Sequence, residues 1–407
     1  FFQNNLFTLC HLIYTDTFYM KRKWIRWVSW ILLTPIILFV ILMVLLYVPP
    51  VQNLLRREVT AYASKATGMQ IQVERIDLRF PLNLLVRGVE VIQQPDTLLS
   101  LESLNVRVQA WPLIKGKVEV DEVTLSRVAV NSADLMEGMK IKGVLGRFFL
   151  QSHGVDLSNE VAVINQVELS DTHVQLLMND TTTTPKDTTA SAPINWKVAL
   201  HQLKLKNVSF SMQLPADSMR MATHIGEAAI DDAQADLKNQ YYDLKKFLLS
   251  GTSASYDTGT AQPAEGFDAS HIAVRDIRIA LDSLLYKGRD MNAVIREFTM
   301  NERSGLSVTS LTGRAYSNDS VICVPGLKLN TPHSEIDLSA HTYWELVNIP
   351  TTGRLSARLN AYIGKEDVML FAGGLPESFK GAYPFRPLVI RAGTDGNLKE
   401  MQISRFT

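Results

Sequence analysis

Cysteine is almost absent from this sequence of 407 residues. The two cysteines, Cys10 and Cys323, lie far apart in the chain. This spacing excludes a disulfide framework and a cysteine-rich metal site. An excess of charge of one sign is also lacking, because 41 Lys and Arg residues face 41 Asp and Glu residues. With no dense basic stripe beyond a short flank near the N-terminus, nucleic acid is not an expected partner.

Catalytic and metal-binding motifs are missing as well. The eight histidines are dispersed, and the sequence has no H-E-x-x-H pair, no G-x-S-x-G elbow and no phosphate-binding glycine loop. Asp121 and Glu122 are neighbours that would point to opposite faces of a strand, which makes a poor acid/base pair. His201 and His271 lie beside strand patterns, and we expect both at the surface or at a sheet edge. The sequence therefore predicts no enzyme activity, no cofactor and no metal site.

Strands alternating with long amphipathic helices are absent too, and a different spacing is present in their place. In L-H-Q-L-K-L-K-N-V-S-F the apolar residues, separated by polar ones, are Leu200, Leu203, Leu205, Val208 and Phe210. On a helix these five side chains would spread around the axis. On a strand, Leu203 and Leu205 share one face, and Val208 and Phe210 share one face. The polar pair between them predicts a bulge or tight turn that returns the apolar side chains to one face.

The first half of this spacing recurs along the chain with polar residues between the apolar ones. Such alternation predicts a sheet with one apolar face and one wet face, unlike a fully buried parallel strand. The copies begin at irregular intervals before Ile295, which weakens the case for a parallel β-helix. The predicted fold is therefore mainly β, with an elongated, curled antiparallel sheet.

Only one long apolar run occurs, in residues 20–48. Ile31 to Val48 has no charge and would span roughly 27 Å as a helix, close to the hydrocarbon thickness of a bilayer. We predict a single-pass anchor with a cytoplasmic N-terminus, because positive charges precede the run. These flanking residues are Lys21, Arg22, Lys23 and Arg26. A cleaved signal peptide is the alternative, but its candidate site at Ala61-Tyr62-Ala63 lies far beyond the run.

The remaining segments complete the predicted organisation. Residues 1–19 fit no element, and we interpret them as a spurious upstream extension. Residues 49–68 predict a juxtamembrane capping helix that begins at Pro49-Pro50 and stops at Gly68. Residues 69–407 predict the sheet, with polar loops near 179–193 and 250–266. The chain stops within a copy of the strand spacing, so we expect the sheet to be incomplete at the C-terminus.

Several stretches together resemble a known family. The charged flank with its single anchor, the helix that begins with two prolines and ends in T-G, and the stretch M-Q-I-Q-V-E-R-I-D-L-R-F-P-L are similar to the N-terminal region of the TamB family, within the AsmA-like group. Gly266 to Gly288, G-F-D-A-S-H-I-A-V-R-D-I-R-I-A-L-D-S-L-L-Y-K-G, resembles the versions found in Bacteroidota. The resemblance covers the chain from Met20 to its end and rests on patterns of apolarity.

The resemblance implies an inner-membrane-anchored periplasmic protein whose sheet forms an apolar groove that carries phospholipid between the two membranes. It also implies an outer-membrane barrel partner, which would be met by a C-terminal domain missing from this chain. We expect acyl chains to contact the apolar residues of the repeated spacing. These groove candidates are Ile76, Leu78, Leu104, Val106, Val123, Leu125, Val167, Leu169, Leu203, Leu205, Phe247, Leu249, Ile277 and Ile279.

Three alternatives stay open from the sequence. The apolar residues would suit an ordinary sandwich core equally well on their spacing alone. A subunit of a translocation and assembly module would instead help outer-membrane proteins to assemble by pairing with their strands. An exported β-solenoid enzyme acting on polysaccharide would need clustered carboxylates on one sheet face.

Overall fold

A computed structural model describes residues 47–80, 82–93, 96–109, 119–132, 138–156, 159–178, 195–349, 353–372, 376–397, 399 and 401–406, with scattered positions between 33 and 45 and at 112. The upstream extension at 1–19, the basic flank, most of the predicted anchor and the polar loop at 179–193 lie outside these residues. Among the helices that are described, none is long and apolar enough to cross a membrane.

The described strands form one sheet of 18 strands, which is curled and unclosed. Neighbours in sequence pair in chain order, except that β13 pairs with β11 beside the short β12. The predicted mainly β fold with a curled antiparallel sheet is therefore confirmed. The strands are β1 Gln70–Arg79, β2 Asn83–Gln93, β3 Asp96–Val108, β4 Val120–Asn131, β5 Met139–Asp156, β6 Val161–Met178, β7 Lys197–Leu214, β8 Met219–Asp236, β9 Tyr241–Asp257, β10 His271–Lys287, β11 Asp290–Glu302, β12 Ser307–Val308, β13 Ser310–Ser317, β14 Val321–Asn330, β15 Glu335–Tyr343, β16 Leu355–Ile363, β17 Leu388–Gly396 and β18 Met401–Phe406.

One pair departs from the antiparallel prediction. β6 and β7 are parallel, with Val161 opposite Lys197 and Leu177 opposite Gln213. A parallel pair requires a connection that returns along the length of the strand, which a short hairpin turn does not provide. The polar stretch predicted as a loop at 179–193 falls within this connection.

Within the described residues, four helices accompany the sheet, and the first of them covers the edge strand β1. The helices are α1 Pro49–Thr67, α2 Trp344–Asn348, α3 Lys365–Phe371 and α4 Glu377–Ala382. The α1 residue Arg56 donates from Nη1 to the Glu74 carbonyl of β1 at 2.7 Å, and the Ile71 amide donates to Ser64 Oγ at 3.1 Å. An uncovered edge strand is a template for pairing with another chain, so α1 protects the β1 edge.

A line of kinks crosses the sheet from β1 to β10. On each of these strands, one residue is left out of the pairing with the neighbouring strands. At β7 and β8, Lys206 pairs with Glu227 and Val208 pairs with Ile225, so that Asn207 is skipped. Asn207 has a left-handed backbone with φ 53°. This first kink line consists of Glu74, Gly88, Glu102, Arg127, Gly146, Asp171, Asn207, Gly226, Gly251 and Asp276.

Six residues of the first kink line have a left-handed backbone, and all of these except Arg127 are glycine, asparagine or aspartate. Glycine, asparagine and aspartate tolerate the left-handed region better than other residues do. Glycine is also required where strands approach closely, because a Cβ on Gly226 would lie 2.8 Å from the Gly251 carbonyl oxygen. Polar contacts join neighbouring kinks, as where Asn207 Nδ2 donates to Asp171 Oδ1 at 2.8 Å. Lys206 and Asn207 are exposed and half-burial resumes at Val208, so the predicted interruption of the strand is found here.

A second kink line runs across β6 to β9, six residues from the first on each strand. It consists of Asn165, His201, Asp232 and Lys245, which the pairing again omits. Asp232 has φ 53°, and its Oδ1 lies 3.0 Å from His201 Nδ1. This line explains the three-residue step from Leu200 to Leu203, for which the sequence offered no cause.

Two other sequence predictions are wrong in detail. The loop expected at 250–266 begins only after Asp257, because Ser250 to Asp257 continues β9 and pairs with both β8 and β10. Its small and β-branched residues fit a strand, although their polarity suggested a loop. The short helices α2, α3 and α4 interrupt a segment expected to be sheet throughout, and α3 begins with Glu366 and Asp367 in its first turn, where the helix dipole favours acidic residues.

We expect Gly226→Ala to lower the stability of the sheet by about 1–3 kcal/mol, since the new methyl group overpacks the first kink line against Gly251. The urea midpoint of unfolding, followed by circular dichroism, measures this. Gly326→Ala on β14 is the matched control, because a Cβ there meets nothing within 4 Å. Equal midpoints for the two variants would show that the close approach at the kink line carries no energetic weight.

Candidate functional site: an apolar face along the sheet

Two rows of apolar residues cross the sheet on the same side of the first kink line. Residues that pair directly across neighbouring strands lie on the same face of a sheet. Row A, from β1 to β11, consists of Ile76, Val86, Leu104, Leu125, Phe148, Leu169, Leu205, Ala228, Leu249, Ile279 and Phe298. Row B, over the same strands, consists of Leu78, Leu84, Val106, Val123, Leu150, Val167, Leu203, Ile230, Phe247, Leu281 and Ile295.

The apolar surface continues beyond β11. Row B passes from Ile295 through Gly313, Leu327, Leu338 and Leu359 to Ala392 on β17. Row C lies two residues from row B on β13 to β17 and consists of Leu311, Leu329, Ile336, Ala361 and Ile390. No charged residue interrupts any of the three rows among the described strands.

The structure places every groove candidate from the sequence in row A or row B, except one. Ile277 lies between the kink at Asp276 and row A, opposite Thr252. On β10, Ile279 occupies row A and Leu281 occupies row B, because the kink at Asp276 lies one residue further from the rows than the kinks of β8 and β9 do.

The groove candidates from the sequence include no row residue of β2, β5, β8 or β11. On β5, Phe148 and Leu150 flank Phe149, and on β2, Leu84 and Val86 flank Leu85. These continuous apolar runs hide the alternation that marks the other strands. The rows beyond β11 were missed for another reason, which is that β13 to β17 have only 8 to 10 residues each and lack the spacing that kinks produce.

The burial of the rows is intermediate. No residue of row A, B or C belongs to the exposed class, whereas Lys204 and Lys206 on the opposite face of β7 are exposed. Among the described residues, no large side chain is buried to less than 2% exposure. Protein interiors normally contain close-packed, fully buried large side chains. The apolar face is therefore shielded by the curl of the sheet without being sealed into a dry core.

A cavity of about 660 Å³ lies on β7 to β10, beyond the first kink line. Its lining includes small residues such as Ser209, Ala222 and Ala254, and the turn after β11 closes one end at Gly305. His224 Nδ1 lies 2.9 Å from Ser209 Oγ in the same cavity. The volume is that of a small-molecule pocket, and Arg275, Glu302 and Arg303 are the charged residues of its lining.

A polar cluster fixes the strand ends beside this cavity. Asp268 accepts hydrogen bonds from the Ala264 and Ser270 amides and from His271 Nδ1, each at 2.9 Å. These two amide hydrogen bonds, with the His271 contact, lower the pKa of Asp268 to about 2. His271 is buried, so the expectation of a surface position is wrong for it, whereas His201 is exposed as expected.

Glu302 occupies a similar position at the end of β11. Burial raises the pKa of Glu302, but hydrogen bonds from Ser304, Ala273 and Arg303 outweigh burial and the net pKa is lowered. Both carboxylates are thus bound to backbone amides of their own turns. Within the described residues, no group of three or more His, Cys, Asp and Glu side chains is arranged to hold a metal ion.

No family model matches this chain, and no curated protein is significantly similar to it. The interpretation of the apolar face therefore depends on its own geometry.

We expect the stability of the protein to fall as the pH is lowered through the folded pKa of Asp268. Because that pKa is below the ordinary value of about 3.9, the contribution is complete above about pH 4 and disappears toward pH 2. Urea midpoints at pH 6, 4, 3 and 2 measure this effect. Asp268→Asn should be less stable than the parent at pH 6 and converge with it at pH 2. A constant difference across the range would contradict the assignment.

Proposed function

We propose that the protein is a periplasmic conduit that carries phospholipid between the inner and outer membranes, with acyl chains lying on rows A, B and C. The observation that carries the proposal is the uninterrupted row B, which extends from β1 to β17 without a charged residue. A continuous apolar path of this kind suits a ligand with long hydrocarbon chains, whose headgroup stays in water at the opening of the curled sheet.

The energetics of the rows suit movement as well as binding. Burial of one methylene contributes about 0.8 kcal/mol, so an acyl chain would be held by many small contacts. Neighbouring strands are spaced about 4.8 Å apart, and each offers similar aliphatic residues in rows A and B. A chain that shifts by one strand therefore exchanges one set of contacts for a nearly equal set, and no catalytic residue is needed.

Two observations favour this proposal over a sandwich core. All described strands belong to a single sheet, whereas a sandwich consists of two packed sheets. The described residues also lack fully buried large side chains, which a dry core of this size would contain.

The alternative of strand donation to outer-membrane proteins meets an obstacle at β1. Its backbone acceptors and donors are occupied by α1, as where Gln52 Nε2 donates to the Leu78 carbonyl at 2.9 Å. β-Augmentation requires a free edge, so this end of the sheet is not offered to a partner. An outer-membrane barrel partner would have to be met elsewhere.

We expect Leu203→Asp with Leu205→Asp to reduce the phospholipid that co-purifies with the protein at least several-fold, because the pair places two charges in rows B and A. Native mass spectrometry with lipid extraction measures this. Lys204→Asp with Lys206→Asp is the matched control, since it adds the same side chains to the opposite face of the same strand. The circular dichroism spectra of both variants should match that of the parent, which separates loss of lipid from loss of folding.

A photocrosslinker provides a second test that leaves the charge of the protein unaltered at the apolar position. With p-benzoyl-phenylalanine at Leu205, irradiation of cells should give a phospholipid adduct, and with the same group at Lys204 it should not. Folded protein without an adduct at either position would contradict the conduit and favour a dry interior or the strand-pairing alternative.

The proposed location predicts a labelling pattern in spheroplasts. With both native cysteines replaced by serine, Thr260→Cys in the exposed loop after β9 should react with an impermeant maleimide, because the chain beyond the anchor lies outside the cytoplasm. Lys23→Cys on the basic flank should react only after lysis. Labelling of both positions, or of neither, in intact spheroplasts would contradict a single-pass anchor with this orientation.

A further inference from the structure

An exposed aromatic residue protrudes from the loop between α4 and β17. Phe385 is 91% exposed, more than any other large apolar residue described. Pro384 and Pro387 bracket it, and proline fixes φ and reduces the number of conformations open to the loop. Phe385 is therefore presented to solvent by a stiff loop, and little conformational entropy would be lost when it binds.

Two hydrogen bonds connect the loop to β16 and α3. Tyr383 donates from its hydroxyl to the Ile363 carbonyl at 3.3 Å, and Lys365 Nζ donates to the Tyr383 carbonyl at 3.2 Å. The same Nζ lies 4.3 Å from the centre of the Phe385 ring. These contacts fix the base of the loop and place a cation beside the exposed ring.

More apolar surface adjoins the loop. Leu388 and Val389, the first residues of β17, are 43% and 40% exposed, and Tyr362, which pairs with Val389, is 41% exposed. Large apolar side chains exposed together on a soluble surface indicate an interaction site.

The charge around this surface has one sign. Between 380 and 394 the chain has Lys380, Arg386 and Arg391 and no acidic residue. The acidic residues of α3 face elsewhere, because Asp367 accepts hydrogen bonds from Thr331 and Ser334 and Glu366 lies 3.8 Å from His333. The partner of the Phe385 loop is therefore expected to be anionic.

We propose that this surface, formed by Phe385, Arg386, Leu388, Val389, Lys365 and Tyr362, docks onto a lipid bilayer that contains anionic headgroups. A protruding ring with adjacent aliphatic residues can enter the boundary of the acyl chains, while Arg386 and Lys365 meet the phosphate layer. A protein partner would need a pocket for Phe385 surrounded by acidic groups, whereas a bilayer supplies both features without shape complementarity.

The position of the surface adds to the inference. β17 is separated from β1 by about 70 Å measured along the curled sheet, taking about 4.8 Å per strand, so many strands lie between this surface and the edge that α1 covers. Docking here does not depend on lipid movement along the rows, and its failure would leave the proposed conduit untouched.

The test uses the full chain held in nanodiscs of zwitterionic lipid, with added vesicles of brominated phosphatidylethanolamine and phosphatidylglycerol. We expect Phe385→Trp to give vesicle-dependent quenching of tryptophan fluorescence beyond that of the parent protein. Leu248→Trp is the matched control, since Leu248 is 43% exposed on the face opposite to rows A and B. Arg386→Glu in the Phe385→Trp background should weaken binding about five-fold or more, and Arg278→Glu on β10 should not.

The outcomes are distinct. Quenching of Phe385→Trp alone, weaker with purely zwitterionic brominated vesicles and weaker at high salt, supports bilayer docking through the loop. Quenching that is equal in Phe385→Trp and Leu248→Trp would show nonspecific adsorption and overturn the proposal. No quenching with any vesicle would also overturn it.

Discussion

The structure depends on one constraint, which is that a strand of about eighteen residues must keep its apolar side chains on one face while it curls. Regular alternation keeps that face only if the strand stays extended. A left-handed residue such as Asn207 interrupts the extended backbone, and half-burial resumes at Val208. Because the interruptions align from β1 to β10, the strands kink together without losing their register. Rows A and B exist as continuous surfaces because of this alignment.

The same construction determines how the sheet is stabilised. Each strand contacts its two neighbours and little else, so that the free energy of folding is a sum of local strand pairings, as in repeat proteins. Such a protein does not need the fully buried core that a compact domain of similar length requires. It does need protected edges, and α1 supplies this protection at β1 by satisfying backbone groups such as the Glu74 carbonyl.

The sequence predicted the strand class, most of row A and part of row B because kinked strands leave a readable spacing, as in Leu200 to Phe210. That signal fails where both faces are apolar, as at Phe148 to Leu150, and where strands are too short to kink, as from β13 to β17. The parallel pairing of β6 with β7 was not predictable, because pairing direction depends on the path of the connection and not on alternation. Ser250 to Asp257 was predicted to be a loop but forms part of β9, because small polar residues also suit strands whose neighbours provide the apolar surface.

The apolar face passes two surfaces that differ in chemistry, one at β1 and one beside β17. At β1 the edge is closed by α1, which follows the predicted anchor in the chain. At β17, rows B and C pass through Ala392 and Ile390, a few residues from the loop that exposes Phe385, and Ala392 pairs onward with Phe406 of β18. On the proposed function, an acyl chain that followed row B would therefore pass beside the surface around Phe385, where an exposed ring lies next to cations. Since the rows offer similar contacts on every strand, the face itself favours neither direction of movement, and on the proposed function any net transfer would depend on a difference between the two membranes.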